Sequence, residues 1–176
     1  MPSTRPQPAR RIVFRGLKID LALQSVVLAD GTIADREVVV HRGAVALVPM
    51  VDENHVCLVR NDRHAVGETL LEVPAGTIDE GETPDQTAQR ELAEETGYRA
   101  ARIEHLTTLC MSPGILDEKM YVYAATGLVA GKMALEVGED IRIVHLSWDA
   151  ALEMVRDGRI HDAKSVAALL YYHTFK

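Results

Sequence analysis

Seven consecutive apolar residues, Ala44 through Met50, give this chain a segment without a polar face. Side chains alternate across a strand, so such a run has to be covered on both sides. After a turn at Asp52, Glu53 and Asn54, the stretch Val56 to Arg60 reads as a second strand. Leu70 to Val73 reads as a short extended piece stopped by Pro74. The clearest helix follows. Thr83 suits the N-cap, Pro84 the first helical position, and Gln86 completes a capping box. Asp85 lies at the positive end of the helix dipole. This helix is expected to run to about Thr96, with Gly97 as its stop. Strand-like segments at 101–109 and 119–125 come next, then a loop around 131–140. A strand near Ile141 to Leu146 and helices near 148–156 and 161–173 complete the chain. Strands and helices interleave, so the class is α/β or α+β.

Ahead of the main body, residues 11–28 look like two short strands, Asp30-Gly31 is a turn dipeptide, and Arg36 to Val40 is a third strand. This meander has few large core residues and needs a partner surface, either the main domain or a second subunit. The expected organisation is a loose tail over 1–10, a β-sheet extension over 11–42 and a main domain over 43–176. Pro2, Pro6, Pro8 and the arginines around them favour solvated chain in the tail.

The charge of −7 argues against nucleic acid as a partner, because such surfaces need a basic patch. An acidic protein still binds a phosphate-rich ligand where metal ions supply positive charge locally. No stretch approaches the ~20 apolar residues of a membrane span. Cys57 and Cys110 sit in apolar runs without paired spacing. They read as reduced core residues of a cytosolic protein rather than a disulfide or a zinc site. His64, His105, His145, His161 and His173 show no metal-ligand spacing, and Ser112 has no recognisable His/Asp partnership.

The chemistry is concentrated between Gly76 and Tyr98. On the expected helix Glu91, Glu94 and Glu95 occupy i, i+3 and i+4, which places three carboxylates on one face. Like charges one turn apart cost about 0.2–0.5 kcal/mol in an isolated helix. A divalent cation reverses the sign, because hard cations take clustered carboxylate oxygens. Glu82 lies where the preceding loop could fold it back toward the same place. The plainer alternative is an acidic face in solvent.

The offsets separate the two. Gly76, Glu82, Arg90, Glu91, Leu92, Glu94, Glu95 and Gly97 fit the Nudix box, G-x5-E-x7-R-E-U-x-E-E-x-G-U, where U is bulky and apolar. Only Tyr98 departs, standing where an aliphatic residue is usual. The sequence therefore resembles a Nudix hydrolase over most of its length, and most of all the ADP-ribose pyrophosphatase branch. Pro113 lies 16 residues after Gly97, a spacing associated with that branch. Leu71-Glu72-Val73-Pro74-Ala75-Gly76 resembles its entry into the box, and Gly158 to Ser165 resembles the start of its final helix.

The resemblance implies an α/β/α sandwich around a mixed sheet, with the N-terminal sheet helping to build a homodimer. It implies hydrolysis of the diphosphate of a nucleoside diphosphate sugar, ADP-ribose first, with Mg2+ and with Mn2+ as a substitute. Glu91 and Glu95 correspond to metal ligands, Glu94 to a further ligand, direct or through water, and the carbonyl of Ala75 to another. Arg90 braces the glutamates, Glu82 belongs to the same catalytic group, and Gly76 belongs to the substrate site. A loop carboxylate that positions or deprotonates water falls on Glu139, with Glu136 the rival. Arg63 corresponds to a phosphate-holding arginine, Arg36 to one near base and ribose that could act across the dimer, and Glu118 to a contact of the terminal ribose. An ordinary surface charge is the alternative for each. Leu17 stands where some members stack an aromatic ring on adenine, which puts strict adenine preference in doubt. Other substrates in the class (GDP-mannose, NADH or FAD) stay open, as does a sensing module that binds ADP-ribose without cleaving it.

Overall fold

The computed structural model describes residues 10–135 and 140–176. Its contacts divide into two units, Met1–Arg42 with Cys110–Lys119, and Gly43–Leu109 with Met120–Lys176.

The smaller unit is an antiparallel sheet of β1 (Arg10–Arg15), β2 (Asp20–Val27) and β3 (Ile33–Val40), in that order. Gly31 turns the chain between β2 and β3 with a φ of 84°, a left-handed value that glycine adopts without strain. β3 begins three residues before the expected Arg36. Its polar start is carried by cross-strand pairing, with the Ser25 hydroxyl donating to Asp35 at 2.7 Å. The 110–119 segment is tied to β3 through backbone bonds on both sides of Val39, from Val39 N to the Ile115 carbonyl and from Asp117 N to the Val39 carbonyl.

In the larger unit β4 (Ala44–Pro49) is buried at every position. It pairs in parallel with β9 (Lys119–Ala130) and antiparallel with β7 (Ala75–Thr77). With β8 (Tyr98–Cys110) at the edge these make one mixed sheet, ordered β7-β4-β9-β8. A second sheet, all antiparallel, contains β10 (Ile141–Ser147), β5 (His55–Arg63) and β6 (Glu68–Glu72). The expected mixed sheet is thus one of two. Helices α1 (Pro84–Thr96) and α3 (Ala163–Phe175) both pack on β4, and α2 (Trp148–Arg156) follows β10. Val45 and Leu47 meet Ala88 and Leu92 of α1 in one cluster with Ile78, Tyr123 and Ala125. Neighbouring β4 residues point the other way by strand alternation, and all are dry.

Boundaries of three further elements differ from expectation. β8 and β9 are longer than their apolar centres, because a ladder continues past the residues that bury. α3 starts at Ala163, since Asp162 is its N-cap and accepts from Ser165 N at 3.0 Å. Cys57 is buried as expected, and burial pushes its thiol up to about 12. Cys110 is exposed, contrary to its reading as a core residue. It closes β8 next to the polar 110–119 segment, with its sulfur 3.0 Å from Lys119 Nζ. No helix among the described residues is long and apolar enough to cross a membrane.

Candidate active site

α1 is fixed at both ends by its own sequence. Thr83 and Gln86 form the reciprocal capping box, and Gly97 ends the helix at φ 71° while its N–H bonds the Ala93 carbonyl. Asp85 in the first turn accepts from the Tyr123 hydroxyl at 2.7 Å. This sets which face turns inward, and that face carries glutamates. Glu91 is only 8% exposed and Glu95 only 4%. A solvated acidic stripe is therefore excluded for these two. Burying two like charges one turn apart is unfavourable unless something positive or hydrogen-bonding compensates.

Part of the compensation comes from Arg90. Its Nε donates to Glu82 at 3.0 Å, and its Nη1 to Glu91 at 2.8 Å and Glu94 at 2.9 Å. Its Nη2 donates to Glu82 at 3.0 Å and to the Thr77 carbonyl at 3.2 Å, with Asp79 at 3.5 Å. One guanidinium thus reaches four carboxylates, using the planar five-donor fork that only arginine has. The i,i+4 pair with Glu94 and the bracing role are the same arrangement. Hydrogen bonds from Arg90 and from the Thr87 hydroxyl bring Glu82 down to about 2. Arg90 is correspondingly pushed further up, chiefly by Glu82. The loop does fold Glu82 back onto the helix.

The strand before the box completes the arrangement. Ala75 N donates to Glu95 at 3.0 Å. Gly76 pairs with Val45, and a Cβ placed on it would lie 1.8 Å from Glu91 Oε1. The Glu91 carboxylate therefore occupies the volume that any other residue at position 76 would fill. Gly76 has no left-handed φ, so its requirement is steric. Among the described residues no three histidine, cysteine or acidic side chains are already grouped as around a metal ion, and the carboxylates gathered here converge on Arg90 instead. The donors that could hold a hard cation are Glu91, Glu95, Glu94 and the Ala75 carbonyl, all oxygen ligands.

Arg63 differs from expectation in its surroundings. Its Nε and Nη2 donate to Glu72 at 2.8 and 2.6 Å, a bidentate pair with a carboxylate 1% exposed. Glu72 also bonds the ammonium of Lys164, which bonds Asp162 at 2.9 Å. The Ser165 hydroxyl donates to Asp162 and accepts from Val73 N at 2.8 Å. Glu72, Lys164 and Ser165 fall in the segments that resemble the family, but the sequence alone gives them no role. The available signal was Asp162 three positions before Ser165, the spacing of an N-cap.

Arg36 and Glu118 belong to the smaller unit. Both line a cleft of about 510 Å3 there, together with Arg10, Gln24 and Lys119. Arg36 donates to the Asp35 carbonyl at 3.0 Å, and Glu118 lies 3.7 Å from the His41 ring. The Ser112-Pro113-Gly114 turn borders the same cleft, and the Ser112 carbonyl accepts from Ile115 N and Leu116 N. Leu17 is 98% exposed. Glu136 and Glu139 lie outside the described residues.

The NUDIX domain family matches residues 40–169 of the chain. The methanol dehydrogenase activator of Bacillus methanolicus is 37% identical over 90% of this chain and 87% of its own. The ADP-ribose pyrophosphatase of Bacillus subtilis (strain 168) is 36% identical over 93% of this chain and 89% of its own. The solved crystal structure of an ADP compounds hydrolase, 25% identical, superposes with a TM-score of 0.82 over 97% of this chain and 94% of that one. With a domain match over most of its length, two buried box glutamates in Glu91 and Glu95, and an arginine that braces Glu82, Glu91 and Glu94, this chain belongs to the Nudix family.

Proposed function

We propose that this protein hydrolyses the diphosphate bridge of a nucleoside diphosphate sugar, with ADP-ribose the first substrate, giving AMP and ribose 5-phosphate. One observation carries the reading. Two carboxylates, Glu91 and Glu95, are buried against the backbone of 75–76, with one of them filling the space that Gly76 leaves. Asp79, Glu82, Glu91 and Glu94 all reach the Arg90 guanidinium, four carboxylates to one arginine, so this cluster carries an excess of negative charge. Cations fit that excess, and an anionic diphosphate fits beside it only together with them. The relatives named for hydrolysis of ADP-ribose and ADP compounds support the choice of substrate.

Glu91, Glu95 and the Ala75 carbonyl would hold magnesium, with Glu94 joining directly or through water. Magnesium typically takes one or two carboxylates and leaves the rest of its shell to phosphate and water, which suits a set this small. When bound, the metal supplies neutralisation of phosphate charge and a lower pKa for water. Manganese substitutes as another oxygen-seeking ion. Arg90 keeps Glu82, Glu91 and Glu94 in place before substrate arrives, so no side chain has to reorganise around the cation. Arg63 takes a phosphate oxygen, Arg36 serves base and ribose across a dimer, and Glu118 serves the terminal ribose. Glu139, or Glu136 in its place, positions and deprotonates the water, whose oxygen bonds phosphorus as the bridging P–O bond breaks.

The exposed apolar residues Phe14, Val27 and Ile33 of the β1–β3 sheet support a homodimer built on that sheet. The test of the function is a panel of ADP-ribose, GDP-mannose, NADH and FAD, first with magnesium and then with a chelator. AMP and ribose 5-phosphate are expected from ADP-ribose only while the metal is present. Failure to cleave any member of the panel overturns the reading, and binding of ADP-ribose without cleavage assigns the chain to sensing.

A further inference from the structure

Glu72 and Lys164 are buried ions remote in sequence, 92 positions apart, and nothing in the box requires them. Two buried charges are a poor source of stability, since well-packed apolar residues often serve as well or better. What such a pair does provide is a fixed geometry. Glu72 takes Arg63 bidentately, so the guanidinium plane is set by the carboxylate plane. Lys164 Nζ bonds the Glu72 oxygen that also accepts from Arg63 Nη2, and Asp162 Oδ2 holds Lys164 from the other side. Asp162 is fixed in turn as the N-cap of α3 and by Ser165, whose hydroxyl takes the N–H of Val73, the residue after Glu72. The result is a closed ring of bonds from β6 to α3 and back, balanced in charge.

We propose that Lys164 is a positioning residue for the diphosphate. Together with Arg63 it neutralises the buried Glu72, and so holds the Arg63 guanidinium in the one orientation from which its outer N–H groups take a phosphate oxygen. The inference rests on the functional reading above. Without Lys164, Glu72 has a single cationic partner, and Arg63 is drawn inward to satisfy it more fully. With Lys164 present, Arg63 can keep two N–H bonds on Glu72 and present the other three outward.

The binding probe is the α,β-methylene analogue of ADP-ribose, whose bridge cannot be hydrolysed, titrated by calorimetry with magnesium present, and ADP-ribose itself is then assayed for turnover with magnesium. Lys164→Met should weaken Kd and raise KM about tenfold while kcat stays within about twofold. Lys164→Arg should recover most of the affinity. In an Arg63→Met background, Lys164→Met should add less than about twofold, because the two act as a unit. An equal loss with and without Arg63, or no loss at all, overturns the proposal. If Lys164→Met does not fold, the pair Glu72→Gln with Lys164→Met removes both buried charges. It should bind like Arg63→Met, and wild-type affinity there also overturns the proposal. A wild type that neither binds nor cleaves ADP-ribose defeats the functional reading first and this inference with it. A wild type that does both, beside an unaffected Lys164→Met, defeats the inference alone.

Discussion

Gly76→Ala adds one methyl group and removes no proposed ligand, yet it should silence the enzyme while leaving it folded. The new Cβ would lie 1.8 Å from Glu91 Oε1, 1.9 Å from Cδ and 2.4 Å from Oε2. Real Cβ contacts essentially never fall under 3.0 Å, so the carboxylate has to retreat by at least about 1.2 Å. The backbone at Gly76 is not left-handed, so alanine brings no conformational strain of its own. The obstructing atoms are the far end of a flexible side chain, and relief by a shifted Glu91 rotamer costs about 1 kcal/mol. For a chain of this size that lowers Tm by about 2–4 °C. Displacing a reacting or ligating group by ~1 Å costs on the order of 100-fold in rate. The assay follows ADP-ribose hydrolysis across a magnesium titration, alongside thermal unfolding of the same sample. Expected are a near-native melting curve, a kcat/KM down at least about 100-fold, and a shift to higher magnesium demand. Activity within about threefold of wild type at the same magnesium requirement would refute the reasoning, since Glu91 would then work from somewhere else.

The same structure sets three further outcomes. Glu82 titrates at about 2 when folded and near 4.5 when unfolded, chiefly through Arg90, so its stabilisation is complete above pH 4.5 and is lost as pH falls toward 2. The Tm difference between wild type and Glu82→Gln should shrink over that window in metal-free buffer, and a constant difference counts against the pair. Thr83→Ala removes the capping-box oxygen and should cost about 1 kcal/mol by denaturant titration. With native protein, a thiol reagent should modify Cys110 promptly and Cys57 only after unfolding, because Cys57 is buried and its thiol is pushed up to about 12. Two fast-reacting thiols would contradict the packing of β5.

What could be read from the residues, and what could not, follows the range of the interactions. The caps of α1 are local, within three or four positions, so Thr83, Gln86 and Gly97 announced both ends of the helix. The all-apolar β4 declared its burial on both faces for the same reason. The offsets of the box gave the identity of the glutamates but not their state. That Glu91 and Glu95 are dry while Glu94 is half-exposed depends on β7 lying against α1, a contact no helical spacing encodes. The exposure of Cys110 is not legible in the sequence, because its apolar neighbours along the chain do not enclose it in space. Arg63 shows the limit most clearly. Its match to a phosphate-holding position was available from sequence, but its partner Glu72 is nine positions away across the β5–β6 pairing. The lysine that shares Glu72 is 92 positions from it, on a helix reached only through the tertiary fold. Hydrogen bonds between distant charges leave no periodic trace, so a motif can name a residue without revealing what holds it. That is why the charges buried beside the box, rather than those within it, are where the structure adds most to the chemistry.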